Sequence, residues 1–175
     1  VTCFSSNISR IKSLLDIAEK SDRSVLIVGR ALLRAIDAAK EVGILDNLPD
    51  LLSVNDLNLI PRSNVLIIST GSQGEPNSAL NRISRDADKY IKLKKGDSII
   101  FSSRKIPGNE NAISKVQTRF LEMGVEIITD DNKNVHVSGH PSKDELIDMY
   151  SYIKPKISIP VHGTREHIDA HAELA

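Results

Sequence analysis

The chain has 175 residues, 40% of them hydrophobic, enough to bury a full core at the usual size of one domain. Its 23 basic residues balance 23 acidic ones, so no net field draws it toward nucleic acid or membrane, and a polyanion would have to meet a local basic patch. The single cysteine, Cys3, excludes an internal disulfide, and no run approaches the roughly 18 consecutive apolar residues of a spanning helix.

The opening VTCF reads as the end of a strand already in progress and lacks the charged start and apolar run of a signal peptide. A fragment, in a reducing, cytoplasmic setting, is the expectation. Ile8, Ile11, Leu15 and Ala18 form one apolar stripe, which predicts a helix at about residues 7 to 20. SVLIVG (24 to 29) is a strand buried on both faces, and helical spacing returns from Ala31 to Val42, where Gly43 stops it. Residues 44 to 63 contain Pro49 and Pro61 and read as a short helix between two turns. NVLIIST (64 to 70) is the next strand, followed by a helical stripe of Leu80, Ile83, Ala87 and Tyr90. SIIFSS (98 to 103) precedes a stripe of Ile113, Val116 and Phe120, and VEIIT (125 to 129) adds another strand. Ser142 with Glu145 is a capping-box start for a helix carrying Leu146, Met149 and Ile153. KISIP (156 to 160) is expected to be the last strand. This alternation implies an α/β fold in one domain, a parallel, Rossmann-like sheet with helices on both faces, whose ligands lie beyond the carboxyl ends of the strands.

Chemistry concentrates at those ends. Gly71 and Gly74 let TGSQGEP (70 to 76) turn sharply before a helix, and exposed amides there suit a phosphate, with Ser72, Gln73 and Gly74 as candidate contacts. The spacing is neither of the nucleotide-binding glycine patterns, and a purely geometric role for the glycines is equally open. Ser102 and Ser103 end a strand, with Arg104 and Lys105 behind them; these hydroxyls and cations suit phosphate oxygens, although the segment by itself reads first as a solvated loop with a turn at Pro107 and Gly108. All five histidines lie in the last 40 residues. In HVSGHP, a tight loop delivers the Ser138 hydroxyl, the Gly139 backbone and the His140 imidazole together, a set able to bind a phosphate and move a proton. His162 stands at the carboxyl end of KISIPV, a favoured place for a metal ligand. His167 and His171 share a helix face at a spacing that suits metal, yet one Cys and no dense acidic cluster leave the complement of a zinc site missing. The three loops Thr70 to Glu75, Val137 to Pro141 and Pro160 to Gly163 are expected to converge on one phosphate-handling site that this chain does not complete.

FSSNISR, VGRALLR, STGSQGEP, SIIFSSRKIPGNE, HVSGHP and IKPKISIPVHGTREH, in this order and spacing, resemble the ribonuclease J family, bacterial β-CASP ribonucleases of the metallo-β-lactamase superfamily. The resemblance runs from about residue 4 to residue 175. It implies a single β-CASP domain over 1–175, with the ends, about 1–5 and 163–175, bordering an absent metallo-β-lactamase domain of the same polypeptide. By resemblance His162 is the sole ligand this chain gives to a dinuclear zinc site, His140 protonates the leaving oxygen, Ser138 binds the scissile phosphate, and TGSQGEP lies along the RNA path. Arg104 and Lys105 replace small residues and a proline usual in the family. The implied activity is hydrolysis of RNA phosphodiesters, as a 5′ exonuclease and/or endonuclease, by the full-length enzyme, whose homo-oligomerisation stays open. The fragment alone is expected to be inactive. The alternatives are a free-standing RNA-binding module and a generic α/β domain for a small phosphorylated ligand.

Overall fold

Short β-branched runs form strands at four of the expected places. The computed structural model describes residues 1–46 and 48–175, which divide into two units, 1–137 and 138–175. In the first, β1 (Ser24–Val28) and β2 (Val65–Ser69) pair in parallel, from Ser24 opposite Val65 to Val28 opposite Ser69. β3 (Ser98–Ile100) and β4 (Glu126–Ile128) form a second parallel pair. Thr2 bridges both Ser69 and Phe101 in parallel, so the N-terminal segment lies between β2 and β3 and joins the two pairs into one array. Its Thr2 amide donates to the Ile100 carbonyl at 2.8 Å, and Ser69 donates to the Val1 carbonyl at 2.9 Å. Because every strand runs the same way, all carboxyl ends share one edge.

The central strand β1 is buried on both faces. Val25 and Ile27 of β1 join Ile11 and Leu15 of α1 (Ile8–Lys20) and Leu32 and Ile36 of α2 (Arg30–Glu41) in one core. Leu26 and Val28 face the other way, into a core with Leu80 and Ile83 of α3 (Ala79–Ser84) and Ile113, Val116 and Phe120 of α4 (Glu110–Glu122). Two helices on each face confirm the α/β reading, and each buried aliphatic side chain contributes roughly 1.5–3 kcal/mol.

Three expectations need correction. The stripe Leu80 to Tyr90 is not one helix, because α3 ends at Ser84 in a Schellman turn. The Asp86 and Ala87 amides donate back to the Ile83 and Arg82 carbonyls, both at 3.0 Å, with Asp86 left-handed at φ 55°. Asp88 then accepts the Tyr90 and Ile91 amides, a local bond that competes with a helix. Within 44–63 the only helical pieces among the described residues are single 3-10 turns, Leu57–Leu59 and Arg62–Asn64, while Leu51 bridges Val25 at the sheet margin. KISIP forms no strand: residues 156–160 have no ladder partner among the described residues, and Ile157 and Ile159 are 78% and 75% exposed.

The second unit is two helices and the chain between them. α5 (Lys143–Ile153) starts with the expected capping box of Ser142 and Glu145, and α6 (Arg165–Leu174) starts with another, of Thr164 and His167. The Tyr150 hydroxyl meets Ser158 Oγ at 2.5 Å and His171 Nε2 at 3.0 Å, tying both helices to the connecting segment. Neither helix fully buries a residue.

Candidate functional site

At the carboxyl edge of the first unit the TGSQGEP loop is held from within. Gly74, at φ 72°, lies so close to α4 that an added Cβ would sit 2.5 Å from the Ala112 carbonyl carbon. Gln73 is buried, and its carboxamide is spent on the protein: Nε2 donates to the Arg104 carbonyl at 2.9 Å, and Oε1 accepts the Ile106 amide at 2.9 Å. It therefore fixes the loop after β2 against the loop after β3. Ser72 and Ser103 are buried beside it at this edge.

Ser102 is likewise engaged. Its hydroxyl donates to the Val135 carbonyl at 2.6 Å and accepts from Arg10 Nη1 at 2.5 Å, while the same Nη1 donates to Val135 at 3.0 Å. Arg10 Nε and His136 Nδ1 are buried without a partner among the described residues. Burial first, then the Arg10 cation, pushes the His136 imidazole below its ordinary pKa. Arg10 had no assigned role in the sequence. The one signal available was a lone cation in the first turn of a helix that follows a central strand.

A second group missed by sequence reasoning lines a cleft of about 590 Å³ beyond β1 and β2. Arg30 and Arg34 project from the first turns of α2, and Arg82, Thr70, Gly71 and residues 75–78 share the lining with them. The α2 N-terminus carries no side-chain cap and no acidic residue in its first turn, leaving its amides free for an anion.

In the second unit the HVSGHP loop and the PVHG segment come together. The His140 and His162 rings stack at 6.4 Å between centroids and 21° between planes. The Ser138 hydroxyl accepts the His140 amide at 3.0 Å, a turn that presents the imidazole just ahead of α5. Ser138, Gly139, His140 and His162 are all exposed. His167 and His171 are used internally, by the Thr164 cap and by Tyr150. Among the described residues no group of three or more His, Cys, Asp or Glu is placed to hold a metal ion.

Comparison with known proteins settles the family. Residues 1–120 match the model described as ribonuclease J, beta-CASP domain. The chain belongs to the ribonuclease J β-CASP family. Residues 124–175 match a second model, the RNA specificity domain of Zn-dependent metallo-hydrolases. The chain is 47% identical over 174 residues to ribonuclease J of Sinorhizobium meliloti, covering 99% of this chain and 31% of that protein. Against ribonuclease J of Mycolicibacterium smegmatis it is 40% identical, covering 100% of this chain and 32% of the relative. The chain thus spans about a third of the length of the curated ribonuclease J relatives it matches. The change from one family model to the next, between residues 120 and 124, falls before the structural break after residue 137.

Proposed function

We propose that this chain is the RNA-handling part of a ribonuclease J that hydrolyses RNA phosphodiesters, from a 5′ end, internally, or both. The observation that carries this reading is the pairing of His140 with His162 in a chain 47% identical to a ribonuclease J. His140 is the proton donor to the leaving oxygen, and Ser138 and the Gly139 backbone hold the scissile phosphate. His162 is the single metal ligand from this chain, the rest of a dinuclear zinc site coming from a metallo-β-lactamase domain of the same polypeptide. Zinc, when bound, supplies an activated water and neutralises phosphate charge.

RNA backbone is gripped where the fold leaves cations and amides free, at Arg30, Arg34 and the open α2 N-terminus. Ser72, Ser103 and the Gly74 backbone border the strand's path. Gln73 and Ser102 contribute by holding those loops, their own polar groups being engaged internally. The overall charge is zero, so RNA affinity rests on this local cluster and falls with salt.

In the full-length protein, His140→Ala is expected to lower kcat on single-stranded RNA by about 10²-fold or more while RNA binding persists. Undiminished turnover would sink the assignment. The isolated 175-residue chain is expected to bind RNA without cutting it, since the other ligands of the proposed zinc site come from outside it.

A further inference from the structure

A second, smaller cavity lies at the carboxyl ends of β3 and β4, between the loops at 103–105 and 129–131. Its volume is about 210 Å³, below the usual size of a drug-sized site and suited to a single ring system. Three features describe its occupant. Gln117 lines the cavity, and its Nε2 is buried without a partner among the described residues, an unused donor. Ser72 and Ser103, 2% and 6% exposed, place two hydroxyls at the same wall. Arg104 and Asp130 bring opposite charges to the rim, and neither has an ion-pair partner among the described residues, whereas Lys105 and Asp131 neutralise each other at 2.5 Å.

These charges exclude the simplest occupants. A phosphate would meet the unpaired Asp130, and a metal cation would meet the unpaired Arg104. An apolar ligand would strand the Gln117 donor and both hydroxyls. What remains is a flat neutral group with both donors and acceptors on its rim. Guanine offers both on adjoining edges: O6 and N7 accept from arginine, and N1–H and N2–H donate to a carboxylate. Single-stranded RNA offers such unstacked bases, read on their edges and stacked on guanidinium planes.

We propose that this cavity takes one unpaired guanine base of an RNA strand, read by Arg104, Asp130 and Gln117. The proposal rests on the RNA-handling reading above and adds base selectivity to it. It makes the chain a reader of sequence at one position beside the arginine cleft, which grips the backbone without reading it.

The test uses full-length protein, with divalent ions chelated to prevent cleavage, and fluorescent uridine octamers carrying one guanosine moved along the strand. At one position guanosine is expected to bind about five-fold or more tighter than uridine. The double variant Arg104→Gln, Asp130→Asn leaves net charge unchanged, so the all-uridine octamer should bind as before while the guanosine preference falls below about two-fold. Absence of any preferred position, or a preference that survives in the double variant, overturns the proposal. If the all-uridine octamer does not bind wild type, the RNA-handling reading fails instead. Guanosine monophosphate is then titrated against uridine monophosphate: selective binding lost in the double variant retains base recognition for a free nucleotide, and no selectivity overturns the cavity's assignment as well.

Discussion

At the scale of single residues, the edge of the sheet is organised by polar groups that the protein uses on itself. Arg10 bonds Ser102 and Val135 with one nitrogen, and His136 is packed beside that cation with Nδ1 unpartnered. Burial and the Arg10 charge depress the imidazole's pKa, so the folded state resists a proton that the unfolded chain accepts near 6.5. Where the unfolded state binds more protons, stability rises with pH. The contribution of His136 is therefore fully present above about pH 6.5 and is lost as pH falls from there through the lower folded pKa. His136→Asn should flatten this part of the stability profile of the chain, measured by urea unfolding between pH 7.5 and about 5. An unchanged slope would show that His136 titrates alike in both states. Gln73 and Ser102 make the related point: sequence names a polar residue at a strand end, but burial decides whether its groups face a ligand or the protein.

At the scale of elements, TGSQGEP owes its shape to contact with α4. Gly74 combines a left-handed φ with a backbone neighbour, so Gly74→Ala must shift the start of α4, whose Ile113, Val116 and Phe120 fill one core. A cost of about 2 kcal/mol or more is expected, read as a lowered denaturant midpoint with unchanged m-value. A midpoint equal to wild type would mean the loop is not fixed by that approach. The strands β1 and β2 and the helices α1, α2 and α4 were legible because apolar period alone defines elements buried on one or two faces. Ala87 and Tyr90 misled for the same reason: the helical spacing continued past Ser84, while the Asp88 side chain captured the amides that a helix would have used. In the candidate site, the motifs located His140 and His162, but no period or spacing marks Arg10 or Gln117, which are brought in by tertiary packing.

At the scale of the molecule, the second unit exposes an alternating apolar segment. Ile157, Ile159 and Val161 are 78%, 75% and 85% exposed, alternate along the chain, and lack ladder partners among the described residues, although their sequence reads as a strand. A strand pattern is a promise of neighbours; alternation cannot say which chain segment provides them. The relatives contain about twice as much sequence again as this chain, since it covers 31% of the S. meliloti protein. The proposed metallo-β-lactamase part would supply both the missing edge for residues 157–161 and the missing ligands around His162. Hydrogen exchange distinguishes this from an intrinsically open segment. In the isolated chain the amides of 157–161 should exchange near the unprotected rate, and in the full-length protein they should slow by at least about 10²-fold as the strand forms. Equal, fast exchange in both would remove the structural basis for carrying His162 into a shared metal site. Protection in the isolated chain would mean that the segment finds its partners without the rest of the protein.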